Sequence, residues 1–425
     1  MEDLEQYERE AVELRRRIHR RPEEGWTEFE TEWLVVNRLR ELMWTIRTGT
    51  RVVKPEAVMG RSRELVEKAM ERAREHGVSQ AFLDEIEGYT GVVAEFDTGR
   101  PGPFTGFRFD MDCVLVDESR EACHQPAAEG FASEIPGAMH ACGHDAHTAT
   151  GIALARWITD NKERLCGRFR LIFQPAEEGT RGGYPMAQAG AVDGLDWFYG
   201  AHVGTYCGPG ELGVCTGGFL ATTKIDIRFT GVPSHAGADP QKGRSALTAA
   251  ASAALMMQGI PRHGEGETRI AVGRLVAGEG RNVTPVHALL QVETRGETHE
   301  INQFMAENVV RIAEGCARAV GIDVEVSKAG EATTLKTTAE GNRVLEEVCS
   351  NVASGRVKVF DSCSGSEDCT WLCRRAAEQG AQTGFFLYGC SHRGHHRADF
   401  DIQDAESLPL ALKVFAGLCR RINGR

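Results

Sequence analysis

The chain has 425 residues, 41% of them hydrophobic and 26% charged, so it can bury a large core and exceeds the length at which one core keeps growing. Its formal net charge of −12 argues against nucleic-acid binding, which needs clustered Lys and Arg, and no uninterrupted run of about 18 apolar residues offers a membrane span. Thirteen irregularly scattered cysteines do not make the dense framework of a small secreted scaffold and read as reduced thiols.

The opening stretch, MEDLEQYEREAVELRRRIHRR, is charged from its second residue, which leaves no secretory apolar segment and points to the cytoplasm. Residues 53–90, rich in Glu, Arg and Lys at helical spacing, predict a solvated helical excursion. Short apolar runs follow that end in polar residues: GVVAEFDTG (91–99), GFRFDMD (106–112), FRLIFQPAEEG (169–179), WFYGAHVG (197–204) and, late in the chain, GFFLYG (384–389). They predict buried strands, and helix-like segments such as HTATGIALARWITDN (147–161) lie between them. The alternation predicts an α/β sheet covered on both faces, with ligands at the strand ends.

From about Ala221 the pattern changes. TTKIDIRFTG alternates Ile225, Ile227 and Phe229 with Lys224, Asp226 and Arg228, the period of a half-buried strand. An Ala-rich helix (SALTAAASAALMMQ), the strands RIAVGRLVAG and ALLQVETRG, a long amphipathic helix and the strand IDVEVSKAG complete a β-α-β-β-α-β order, that of a ferredoxin-like split unit. The expected division is therefore a first domain of 1–220 and 332–425, with 221–331 inserted as a second.

The strand ends collect Asp110 and Asp112, the group Cys142, His144, Asp145 and His147 within MHACGHDAHTA, the pair Glu177 and Glu178, His202, and a late cluster with His392, His395 and His396. One histidine alone is usually structural, but five groups at successive strand ends point to a site. A nucleophilic Cys142 with a histidine base leaves two adjacent carboxylates unexplained, and these are costly to desolvate without a cation. A divalent metal supplies that charge, with Glu178 as ligand and Glu177 as proton shuttle. Such an ion activates water and polarises a carbonyl, so hydrolysis of an amide or ester follows.

The motifs MHACGHDAHT, FDMD (109–112), QPAEEGTRGG (174–183), GAHVGT (200–205), TGVPSHAGADPQKGRSAL (230–247), GRNVTP (280–285), VETRG (292–296), GSEDCT (365–370) and HRADFDIQD (396–404) resemble the aminoacylase and carboxypeptidase G type of two-metal amidohydrolases, over nearly the whole chain. The resemblance implies a zinc-exopeptidase-like catalytic domain with a mixed sheet, plus a ferredoxin-like lid and dimerisation domain. It makes Cys142 the ligand bridging two divalent ions, with Glu178 and His396 completing one site and His144 and His202 the other. Mixed S, N and O donors fit several metals; the resemblance favours Mn2+, with Zn2+ as the alternative. Glu177 becomes the general base, Asp110 the carboxylate that steadies a ligand imidazole, Asp145 a helix cap, and His140 and His147 structural residues. His235 is implied as an oxyanion donor, often to a neighbouring subunit, and Asn282 and Arg295 as contacts to a substrate carboxylate.

Two departures stand out. The proline expected two residues after the last ligand is Ala398, which leaves His395 as rival to His396, and the GxNA pattern reads Gly243, Arg244, Ser245, Ala246. From spacing alone, His235 reads as a turn residue and Arg295 as a surface salt-bridge partner. The implied substrate is a small N-acyl or N-aroyl amino acid, an aminobenzoyl-glutamate type favoured over indole-acetyl or benzoyl conjugates. The implied assembly is a homodimer or a heterodimer with a homologous subunit. A catalytically silent metal-binding subunit is the rival reading from another class.

Overall fold

The computed structural model describes residues 4–363 and 365–425. In chain order the strands are β1 (Thr45–Thr48), β2 (Val92–Asp97), β3 (Phe104–Asp110), β4 (Arg168–Gln174), β5 (Trp197–Val203), β6 (Leu212–Cys215), β7 (Ala221–Thr230), β8 (Thr268–Ala277), β9 (His287–Gly296), β10 (Asp323–Ala332), β11 (Val357–Phe360) and β12 (Gln382–Tyr388). Two compact units share them. The first runs to Gly218 and resumes with Leu335–Cys363 and Asp368–Arg425; the second is Phe219–Thr334 with the short 364–367 stretch.

In the first unit eight strands pair in the order β1-β2-β4-β3-β5-β12-β6-β11. The sheet is mixed: β4, β3, β5 and β12 run parallel, while β2 and β6 join antiparallel. The apolar runs are continuous because both faces are covered, and every residue of β3 is buried. The helix His144–Asp160 is almost wholly buried. It approaches closely at Gly151, where a Cβ would stand 2.7 Å from the rings of Phe109 and Phe173, and Phe415 packs against Phe107 and Phe109 from the C-terminal helix. The excursion holds two helices, Arg63–Glu75 and Gln80–Ile86, and it is not solvated throughout: Val66, Ala69, Phe82, Leu83 and Ile86 are buried.

The second unit is a four-stranded sheet, order β10-β7-β9-β8, all antiparallel, with the helices Ala246–Gln258 and His299–Val320 between its strands in sequence. That is the ferredoxin-like order of a β-α-β-β-α-β chain. Its core joins Ile225, Ile227 and Phe229 of β7 to Leu290 and Val292 of β9 and to the alanine-rich helix face. The small side chains Ala246, Ala249, Ala250 and Ala253 are fully buried there.

Candidate metal centre

Because β3 and β4 are parallel and in register, Asp110 lies opposite Gln174, and their exits carry Asp112 and the pair Glu177–Glu178 to one edge of the sheet. His202 is the penultimate residue of β5. Cys142 enters through Gly143, whose φ of +89° and lack of a side chain are both required, since a Cβ there would stand 2.3 Å from Val203 Cγ1. The loop after β4 is tightly wound, with Ala176 and Thr180 at φ 51° and 60°, and His396 also has φ 60°. Left-handed backbone at non-glycine residues costs about 1–3 kcal/mol each and concentrates at functional sites.

Cys142 is the hub. Its Sγ lies 3.5 Å from His202 Nε2 and 3.4 Å from His395 Nδ1. Donor atoms of Cys142, His144 and His202 all lie within 4.8 Å of one another, and so do those of Cys142, Glu178 and His396. One thiol thus serves two sets of three. His202 Nδ1 donates to the Val203 carbonyl at 2.8 Å, which leaves Nε2 with its lone pair facing Cys142. Burial and the neighbouring rings of His147 and His395 hold His202 far below its ordinary pKa, so the ring is neutral. His396 Nε2 is 3.0 Å from Glu178 Oε1. His395 faces the same thiol but belongs to neither set of three.

The residues fit a cation. Among the described residues, His144 Nε2 and Glu178 Oε1 are buried without a hydrogen-bond partner, a condition that costs about 1–3 kcal/mol per group unless something else binds them. Burial opposes a charged His144, yet the Asp110 charge and the hydrogen bond to Asp112 outweigh it and raise its pKa well above the usual range. Burial and the Glu178 charge push the Cys142 thiol well up. The protein alone therefore keeps Cys142 protonated, and a thiolate forms there when a cation offsets those terms.

Asp110 does not do what the sequence suggested. Its Oδ1 meets His147 Nδ1 at 2.5 Å and its Oδ2 meets Arg108 Nη1 at 2.6 Å, while His144 Nε2 is 3.8 Å away. Asp112 steadies His144 instead: Oδ1 accepts from His144 Nδ1 at 3.1 Å and from Glu177 N at 3.0 Å, and Oδ2 accepts from Glu178 N at 2.9 Å. The two carboxylates sit two residues apart in FDMD, and Asp112 lies past the strand end, where the chain turns towards the Glu177 loop. His147 has both nitrogens occupied, accepting from Val203 N at 3.1 Å. Asp145 is not the cap either. Gly143 holds that position, and Asp145 accepts from Arg15 Nε and His19 Nδ1, both at 2.7 Å, as well as from Ala146 N.

The sequence reading passed over the supporting residues. Fully buried Arg108 spans Asp110, Gln174 and Asp368, and Asp368 also accepts from Gly182 N and Gly183 N, which anchors the loop following Glu178. Arg15 pairs with Asp145, Asp401 and Asp404 in a network with almost no solvent contact. An arginine on a charged N-terminal helix carries no local sequence signal of such burial.

The remaining candidates lie in the second unit. His235 is exposed, and its Nδ1 accepts from Gly237 N at 3.2 Å and Ala238 N at 3.1 Å, so the proton stands on Nε2. Ala236 N donates to the Asn282 carbonyl, which puts the two loops side by side. Arg295 is half-buried and donates through Nε and Nη2 to Glu293, each at 3.1 Å.

The model of peptidase family M20/M25/M40 matches residues 106–421. The chain is 41% identical to a p-aminobenzoyl-glutamate hydrolase homolog of Haemophilus influenzae, over 97% of this chain and 98% of that one. It is also 41% identical to the indole-3-acetyl-aspartic acid hydrolase of Enterobacter agglomerans, over 96% and 94%. Among solved structures, the aminobenzoyl-glutamate utilization protein of Klebsiella pneumoniae superposes with a TM-score of 0.82 at 35% identity, covering 99% of this chain and 98% of that one.

Proposed function

Because the chain belongs to peptidase family M20/M25/M40, we propose that it cleaves the amide bond of p-aminobenzoyl-glutamate, giving p-aminobenzoate and glutamate. It is an amide-bond hydrolase that uses divalent metal and a small amino-acid conjugate. The observation that carries the reading is a thiol shared by two sets of donors, Cys142 with His144 and His202 and Cys142 with Glu178 and His396, beside the further carboxylate of Glu177. Two divalent ions per chain fit those sets, and Mn2+ is favoured over Zn2+ on the resemblance, since S, N and O donors accept both. When bound, they supply the positive charge that acidifies water and polarises the scissile carbonyl.

The chain's own residues do the rest. Glu177, buried and fixed through its N–H to Asp112, takes the proton from water and passes it to the leaving nitrogen. His235 offers its Nε2–H to the oxyanion. Arg295 and Asn282 receive the amino-acid carboxylate, for which Arg295 exchanges Glu293 for the substrate.

Release of glutamate from p-aminobenzoyl-glutamate by metal-loaded protein tests the proposal, run beside indole-acetyl-aspartate and benzoyl amino acids. The second conjugate is the chief rival, because the relative that bears its name is equally identical. Inertness towards the whole panel, with activity restored to a second polypeptide, would establish a silent partner chain instead. A two-chain assembly is supported by β8, the outer strand of its sheet, with Leu275 and Val276 exposed on it and Leu247, Leu255 and Met256 exposed on the adjoining helix. Light scattering measures it.

A further inference from the structure

Outside the metal centre, two thiols stand in contact. Cys215 Sγ and Cys363 Sγ are 3.8 Å apart and both side chains are buried, so about 1.8 Å of closure separates them from a disulfide. Cys215 is the last residue of β6, held between β11 and β12. Cys363 lies three residues beyond the end of β11, next to exposed Ser362, in a segment free of sheet pairing that can supply the movement. The pair is also asymmetric: the contact with Cys363 raises Cys215, whereas the hydrogen bond from Cys215 lowers the Cys363 thiol.

Their position gives the contact a consequence. The loop closed by the pair spans 148 residues and contains all of Phe219–Thr334. The points where the chain leaves and re-enters the first unit gather around it. Leu335 N donates to the Gly218 carbonyl at 3.0 Å, and a Cβ on Gly218 would stand 2.3 Å from Cys363 N.

We propose that Cys215 and Cys363 form a reversible oxidative modification site, whose disulfide fastens together the connectors at the base of the inserted unit. A peroxide is the oxidant. The Cys363 thiolate attacks one oxygen, the O–O bond breaks, and Cys363 becomes a sulfenic acid with release of hydroxide. The Cys215 sulfur then attacks the Cys363 sulfur, its proton leaves with the displaced hydroxyl as water, and the S–S bond forms. Two thiols are oxidised and one peroxide is reduced. A dithiol reductant reverses the step by exchange.

The test treats metal-loaded protein with stoichiometric hydrogen peroxide, blocks residual thiols, and maps peptides without reduction. Expected is a cross-link between the peptides holding Cys215 and Cys363, with a mass loss of about 2 Da for two hydrogens, undone by dithiothreitol. In Cys215→Ser the sulfenic acid should persist on Cys363 and be trapped by dimedone; Cys363→Ser should give neither product. Amide exchange at Gly217–Phe219 and at Asp361–Cys363 should slow severalfold in the oxidised wild type. Circular dichroism shows that each variant is folded, and wild-type mapping stands without them. Peroxide consumption without this cross-link, a cross-link through Cys207 instead, or unchanged exchange in the cross-linked protein overturns the proposal.

Discussion

Asp112→Asn isolates the positioning carboxylate from the ligands. The two oxygens of Asp112 accept three hydrogen bonds, from His144 Nδ1, Glu177 N and Glu178 N, at 2.9–3.1 Å. An amide keeps one acceptor. Turned so that its oxygen replaces Oδ1, it serves His144 and Glu177 but points an NH2 at the Glu178 N–H; turned the other way it opposes two donors. The first orientation is preferred, and it loses one charge-assisted hydrogen bond, about 1.5–3 kcal/mol. Since about 1.4 kcal/mol is a factor of ten, that agrees with the 10–100-fold loss of metal affinity common when a ligand's supporting carboxylate is removed. The expected outcome is a weaker metal site, measured by chelator competition, with turnover partly recovered at high metal concentration. Wild-type metal affinity and turnover in a folded variant would refute the assignment of Asp112 as the residue that steadies His144.

Glu177→Gln should retain full metal content, measured by elemental analysis, and lose on the order of a hundredfold or more in turnover, as removal of a positioned acid/base does; loss of metal would exchange the roles of Glu177 and Glu178. Cys142→Ser should bind metal far more weakly, because a hydroxyl is a poor substitute for a thiolate at neutral pH. His235→Ala should keep its metals and lower kcat more than it raises KM. If sites are shared in a dimer, mixing it with Glu177→Gln should restore some turnover once tagged chains are shown to exchange, and exchange without recovery would rule sharing out. Arg295→Ala should raise KM for the carboxylate substrate more than it lowers kcat, and an unchanged KM would leave Arg295 as the salt-bridge partner of Glu293.

The strands and the inserted unit were legible because period and length carry them. β3 and β4 read as unbroken apolar runs, while β7 alternates, and these patterns record two covered faces against one. The short strands β1, β6 and β11, of four residues each, were not, since a four-residue strand has too few positions to show a period. In the site, the donor types announced a metal, but their second partners did not. FDMD offers two aspartates, and the choice between them depends on which one the chain carries past the strand end to meet His144. Nothing local to Arg15, Arg108 or His19 separates them from the many exposed charged residues nearby. Their burial follows from the partners that tertiary packing delivers, Asp145, Asp110 and Glu118 among them.

His19 shows what those partners do. Its Nδ1 lies 2.7 Å from Asp145 and its Nε2 2.9 Å from Glu118, both fully buried, so both nitrogens must donate and the ring must be charged. Burial and the Arg15 charge work against that, but the hydrogen bonds to Asp145 and Glu118 prevail and His19 titrates above 6.5. Burial would raise Glu118, yet hydrogen bonds from His124 and His19 bring it down to about 2, so it stays ionised across the neutral range. A group whose folded pKa exceeds its unfolded one stabilises fully below the unfolded value and loses that contribution as pH rises through the folded value. His19→Gln leaves two buried carboxylates short of a partner, a loss of about 3–5 kcal/mol when a buried pair is broken. In denaturant titrations the variant should therefore fall furthest below wild type at pH 6, and the gap should narrow as pH rises past the folded pKa. A gap that stays constant from pH 6 to 9 would mean that His19 is held neutral, and that Asp145 at the start of the His144 helix depends on Arg15 alone.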